Sequence, residues 1–255
     1  MAARSFRTQA LAWLRASICV LLLCQCACQD AALRPEALSY GRFRSLHIYR
    51  PAGTPERLAL VLSGDRGWTP FIGSLAQELA ASGTLVAGVD VEELLQSLGR
   101  DPASCVAPGA ELAALAHYLQ QRYALTRSMP VLIGHSAGAT FAYLGLAQSP
   151  AGSFAGALTL SFCEDLDLLK PLCRSAAVQY LPRSGGVRLL PAATLPAPWL
   201  ALHGLNDEEC PAPAARSFVA AVAGARFVGL PQVTHSYRRM ARWWPQFTAA
   251  YSELR

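Results

Sequence analysis

Apolar residues in this chain alternate between two rhythms: short unbroken runs, and stretches where they recur every third or fourth position. The unbroken runs fall at residues 58–63, 84–91, 130–134, 157–162, 198–203 and 226–230. Runs of that kind read as strands covered on both faces. Helical spacing marks residues 71–81, 111–123, 137–148, 212–223 and 237–254. Strands alternating with helices predict an α/β fold with a mostly parallel central sheet and helices on both faces. Residues 38–50 alternate apolar and polar, as an antiparallel edge strand or hairpin does. Residues 163–198 show no clear period and lie between two strands, where such a fold carries a lid or insertion. Neither an internal repeat nor a low-complexity linker is present.

Composition narrows the class. The chain has 255 residues, 53% hydrophobic and 15% charged, enough for one sizeable core and short for two domains. The first 28 residues contain no acid. Arg4, Arg7 and Arg15 accompany an apolar run at 16–23, and the small residues Cys26, Ala27 and Cys28 follow. This order predicts an export signal over 1–28 and a single domain over 29–255. The run is too short for a lasting membrane span. Cleavage near Cys28 and lipid attachment at Cys24, Cys26 or Cys28 are both open. The net charge of +5 falls to +2 without the three signal arginines. No basic stripe interleaved with aromatics remains, so no nucleic-acid partner is expected. Of eight cysteines, Cys19, Cys24, Cys26 and Cys28 lie in the signal. The domain keeps Cys105, Cys163, Cys173 and Cys210, which suits two disulfides in an exported protein, with three pairings open. Their spacing matches no zinc pattern, and no metal or cofactor is expected.

The sharpest chemical signal is Gly134-His135-Ser136-Ala137-Gly138, after the strand PVLI and before a helix. A serine on so tight a strand-to-helix turn is pushed out at the sheet edge, and free helix N–H groups point at a developing oxyanion. This is the nucleophile turn of the α/β-hydrolase fold, in which the acid and then the histidine follow in chain order. Asp207 comes just after the strand PWLAL, and His235 sits in the loop QVTHSY before the last helix. His235 is therefore the expected base and Asp207 the residue that orients it. Asp165 and Asp167, after the fourth strand of the run, and the neighbours Glu208 and Glu209 are rivals to Asp207. His47, His117, His135 and His203 fit the role of base less well. The loop Ser63 to Trp68 follows the first buried strand, so the backbone N–H groups of Asp65 and Ala137 are the expected oxyanion donors. The Asp65 side chain also suits a turn former, and Trp68 either lines the pocket or packs on the next helix.

LSGDRGW at 62–68, IGHSAGA at 133–139, LNDEECP at 205–211 and THSY at 234–237 resemble the bacterial virulence protein family VirJ/AcvB. The resemblance implies a periplasmic α/β-hydrolase and gives Ser136, Asp207 and His235 the triad roles. Its AcvB branch implies a substrate: aminoacyl-phosphatidylglycerol, from which the amino acid is released. Two features agree. Arg238, Arg239 and Arg242 beside Trp243 and Trp244 suit contact with an anionic membrane surface, although a solvated helix face with packed tryptophans explains them too. Glu208 and Glu209 suit a substrate ammonium. Two other functions stay open: a general carboxylesterase or lipase, and a non-catalytic accessory protein of a secretion system with this fold.

Overall fold

The structure of the protein is a computed structural model, described over residues 35–254. The expected export signal over 1–28, with Cys19, Cys24, Cys26 and Cys28, lies outside the described residues. The strands are β1 (Glu36–Tyr40), β2 (Phe43–Tyr49), β3 (Arg57–Leu62), β4 (Thr84–Val89), β5 (Val131–His135), β6 (Gly156–Leu160), β7 (Asp165–Asp167), β8 (Gln179–Arg183), β9 (Gly186–Leu190), β10 (Trp199–Gly204) and β11 (Arg226–Leu230). The helices are α1 (Pro70–Ala81), α2 (Val91–Gly99), α3 (Pro108–Arg122), α4 (Ala137–Gln148), α5 (Ala212–Ala220) and α6 (Trp244–Glu253).

Eight strands form one sheet in the order β1-β2-β4-β3-β5-β6-β10-β11. Strands β4 to β11 of that order run parallel, and the β1–β2 hairpin joins β4 antiparallel. The unbroken apolar runs follow from two-sided burial. In β3, Leu58, Leu60 and Leu62 enter one core layer, while Ala59 and Val61 enter the other. Helices α2, α3, α4 and α5 cover the first face; α1 and α6 cover the second. After β4 the chain crosses to the other side of β3 to make β5. The loops following β3 and β5 therefore diverge and open a crevice at the strands' C-terminal ends.

Four sequence expectations change. The run at 84–91 ends at Val89, because Asp90 caps α2 by accepting from the N–H of Glu93 at 3.2 Å. Periodicity alone does not announce that helix, because it follows the strand with no intervening turn. The terminal helix begins at Trp244, not 237. Tyr237 (φ 48°) and Arg239 (φ 62°) hold left-handed conformations that interrupt helical winding; a short 3₁₀ turn at Met240–Arg242 follows. The helix at 212–223 stops at Ala220. Residues 163–198 contain a second sheet, antiparallel in the order β7-β9-β8, with Leu166, Tyr180, Val187 and Leu189 turned into the core.

The cysteines pair as Cys105–Cys173 and Cys163–Cys210. The first fastens the inserted segment near the start of α3, where the N–H of Val106 also donates to Pro171 O at 2.9 Å. The second joins the loop after β6 to the loop after β10. Among the described residues no helix is long and apolar enough to cross a membrane.

Candidate active site

Ser136 leaves β5 with φ 56° and ψ −125°, a conformation that non-glycine residues adopt only when their surroundings enforce it. The two flanking glycines are part of that enforcement. A Cβ on Gly134 would sit 2.0 Å from Gly138 O, and one on Gly138 would sit 2.2 Å from Ser63 O. No side chain fits at either position, so the turn brings α4 directly against β3. The N–H of Ser136 donates to Leu160 O at 3.0 Å and ties the turn to β6. Helix α4 starts at Ala137 without a side-chain cap. The N–H groups of Ala137 and of Asp65 find no acceptor among the described residues.

The structure brings Ser136, His235 and Asp207 together. His235 Nε2 lies 3.0 Å from Ser136 Oγ, and His235 Nδ1 lies 3.1 Å from both carboxylate oxygens of Asp207. Asp207 follows β10 and its side chain is fully buried. Burial alone raises a carboxyl pKa. Here donors outweigh it: His235, the Ser161 hydroxyl and the Cys210 N–H hold Asp207 down at about 2. The N–H of Glu209 also donates to Asp207 Oδ1, at 3.1 Å. Burial likewise works against a charged His235, but the hydrogen bond and charge of Asp207 overcome it and raise the imidazole above its ordinary pKa.

The rivals are elsewhere or otherwise engaged. Asp165 is bound bidentately by Arg188 at 2.8 Å and 2.8 Å, and Asp167 is paired with Arg183. Glu208 is exposed. Glu209 Oε2 stands at the cleft mouth, 3.7 Å from His235 Nε2 and 3.4 Å from Arg66 Nη2. His203 is buried and sits 2.8 Å from Cys210 O through Nε2. His135 Nε2 lies 2.8 Å from His235 O, which makes Nε2–H the donor. Burial drives the pKa of His135 down to about 4, so it holds the His235 backbone as a neutral ring.

Ser136 and His235 open into a cleft of about 430 Å³, lined also by Gly64, Asp65, Phe71 and His135, with Arg66, Glu209 and Arg238 at its rim. The loop after β3 is held by Asp90, whose Oδ2 accepts from the Trp68 N–H at 3.0 Å. Trp68 does not line the cleft. It stacks on His47, with ring centres 4.5 Å apart, and covers Gly88 of β4. The basic-aromatic patch is also reduced. Arg238, Arg239 and Arg242 are exposed, but Trp243 is fully buried and donates to Tyr237 O at 3.1 Å. A larger open hollow of about 790 Å³ lies at the opposite ends of β3 and β5, between residues 55–57 and 124–129, and its lining holds no histidine or cysteine.

Asp207, Cys210 and His235 offer ligand atoms within 4.8 Å of one another. Cys210 is bonded to Cys163 and has no thiolate to give, so the group does not suit a metal. The same disulfide steadies the acid. Cys210 N–H donates to Asp207 Oδ1 at 2.9 Å, while Cys163 O accepts from Thr140 Oγ1 of α4 at 2.7 Å. The bridge thus ties the loop of Asp207 to the loop after β6, which is itself hydrogen-bonded to the helix that follows Ser136. Ser161, whose hydroxyl donates to Asp207 Oδ2, belongs to no sequence motif that would mark it as part of the site.

The model of the bacterial virulence protein family VirJ matches residues 56–152, so the resemblance holds over that segment. The sequence matches no curated protein. Among solved structures, Est1E from Butyrivibrio proteoclasticus is 15% identical with a TM-score of 0.58, covering 86% of this chain and 97% of its own. A dienelactone hydrolase from Anabaena variabilis is 17% identical with a TM-score of 0.59, covering 87% and 96%. The esterase domain of a Rhodothermus marinus protein is 16% identical with a TM-score of 0.55, covering 82% and 91%. At such identities the likeness shows the α/β-hydrolase fold, and the chemistry must be argued from the site.

Proposed function

We propose, for a chain whose residues 56–152 match VirJ and whose described part has the α/β-hydrolase fold, that it is an exported serine ester hydrolase. The observation that carries this reading is the unbroken hydrogen-bonded line from Ser136 Oγ through His235 to Asp207. In the proposed reaction His235 Nε2 takes the Ser136 proton as Oγ attacks the ester carbonyl carbon. The oxyanion so formed accepts from the N–H groups of Ala137 and Asp65. Imidazolium then protonates the leaving alcohol, which departs and leaves an acyl-enzyme. Water gives a proton to His235, attacks the acyl carbon, and restores Ser136 as the acid leaves. Asp207 stays ionised throughout and fixes the tautomer of His235. No step calls on a metal or cofactor. Two disulfides support an exported, periplasmic setting.

Because His235 acts as a base only when neutral, activity is lost as pH falls through its pKa. That pKa is raised, so kcat/KM should begin to fall at a pH above the ordinary histidine value of about 6.5. A pH–rate profile checks this, and an acid limb centred near pH 5 would contradict it.

The proposed ester is aminoacyl-phosphatidylglycerol. The family resemblance suggests it, and the rim supports it. Arg66 and Arg238 suit the lipid phosphate, and peripheral contact of Arg238, Arg239 and Arg242 with an anionic membrane surface follows from the same charges. Glu209 stands beside the atom that relays the proton. The ammonium of an α-amino ester lies one carbon from the reacting carbonyl, within reach of that carboxylate. Glu209→Gln is therefore expected to raise KM about tenfold for an α-amino ester, the size of one charge-assisted contact, and to leave a neutral ester of the same alcohol within about twofold. Equal effects on both would remove Glu209 from substrate recognition. The substrate itself is tested with vesicles of lysyl-phosphatidylglycerol. Wild type should release free lysine and Ser136→Ala should not. Turnover of simple esters without lysine release would favour a general carboxylesterase.

A further inference from the structure

Ser161 is the first residue beyond β6, and it is buried in a left-handed conformation at φ 53°. That conformation is unfavourable for serine, which is neither glycine nor asparagine. Three contacts hold it there. Its N–H lies 3.1 Å from Tyr237 Oη and 3.3 Å from Leu202 O. Tyr237 Oη in turn donates to Leu202 O at 2.8 Å. With the backbone so fixed, the Ser161 hydroxyl points at Asp207 Oδ2 and donates to it.

The two oxygens of Asp207 are served unequally. Oδ1 accepts from the N–H groups of Glu209 and Cys210 as well as from His235. Oδ2 accepts from His235 and from Ser161. His203 Nε2 is 3.7 Å from Oδ2 and is directed to Cys210 O instead. Among the described residues, Ser161 is thus the one donor besides His235 that reaches Oδ2. Without it, half of a buried carboxylate would rest on the imidazole alone, and the carboxylate plane would lose the contact that stops it turning.

We propose that Ser161 is a positioning residue for the catalytic acid, the fourth member of a relay that runs Ser161–Asp207–His235–Ser136. Its hydroxyl fixes the plane of the Asp207 carboxylate so that both oxygens face His235 Nδ1. Tyr237, two residues after His235, sets Ser161 in turn, so the loop that carries the base also shapes the support of the acid. The charge of Asp207 is spread over four donors, which keeps the proton on His235 when imidazolium forms. The low pKa of Asp207, about 2, agrees with this.

The inference rests on the hydrolase reading, and its test separates the two. Ser161→Ala and Ser161→Gly both remove the hydroxyl, but glycine also relieves the left-handed backbone. On one chromogenic ester, both variants are expected to lose ten- to a hundredfold in kcat with KM within about twofold of wild type. The acid limb of kcat/KM should move to higher pH in both, because an Asp207 with one donor fewer holds the His235 proton more tightly. The titratable and charged groups around the pair are His135, His203 and Tyr237 near Asp207, and Glu209 and Arg66 near His235, whose pKa Asp207 already raises. The melting temperature of Ser161→Gly should lie at or above that of Ser161→Ala, with no recovery of kcat. Full activity in either variant, or kcat rising with melting temperature, overturns the proposal. Labelling by a fluorophosphonate tells the failures apart. If wild type labels and both variants label as fast, Ser161 alone is dismissed. If wild type takes no label, the hydrolase reading fails and the relay falls with it.

Discussion

Ser136→Ala is expected to lower kcat/KM by about 10⁵- to 10⁶-fold, because the triad supplies most of the acceleration. The substitution removes the attacking oxygen and nothing that shapes the cleft. Ser136 owes its conformation to Gly134, Gly138 and the hydrogen bond to Leu160 O. Alanine inherits that strained backbone without a new clash, so the variant should fold and bind ester with nearly unchanged affinity. His235→Ala should cost a similar factor. The double variant should be little worse than either, because the two side chains perform one proton transfer. Steady-state kinetics on any accepted ester decides the matter. Additive losses would mean that the two residues act separately.

Asp207→Asn should cost about 10⁴-fold, less than loss of the nucleophile. An amide of the same shape still fills the buried position, but its NH₂ cannot accept from His235 Nδ1–H. The ring then favours the tautomer that presents N–H, not a lone pair, to Ser136. The amide oxygen is expected to stay on the N–H groups of Glu209 and Cys210, which leaves the NH₂ facing His235 and Ser161, and the loss of the buried charge that accepted from them should also lower stability. Asp165→Asn is the contrast. Asp165 is committed to Arg188 on the small sheet, and its loss should leave kcat within about twofold. Kinetics for the pair of variants compares the two positions where this fold hosts its acid. The reverse order of effects would move the acid to the end of β6.

Much of this architecture is readable from the chain because the central strands are buried on both faces. Leu58 to Leu62 is apolar at every position because each side chain meets one helix layer or the other. Helix α4 is bounded by its glycine-rich start and by Ser149-Pro150, both visible in the sequence. Positions at strand ends also identify Ser136, Asp207 and His235 as a group, since only the fold's topology can bring together residues so far apart in sequence. What escapes reading depends on contacts with no local signature. Helix α2 shares Val91 with the apolar run before it. The strands of the small sheet are short, and β8 contains Pro182, tolerated because β8 is an edge strand. Cysteine spacing carries no geometry, so the pairing Cys163–Cys210 emerges only when β6 and β10 are seen side by side. Trp243 looks like half of a surface patch when helical spacing is extended back to 237, across two left-handed residues that no pattern announces. Ser161 is invisible for the same reason, because its role depends on a backbone angle.

An activated hydroxyl at residue 136 is open to covalent labelling whatever the natural substrate. Purified protein treated with a fluorophosphonate should gain the mass of one phosphonyl group, carried by the peptide that contains Ser136. Ser136→Ala should gain none, and His235→Ala should label slowly. No adduct on wild type, or equal labelling of Ser136→Ala, would contradict the account.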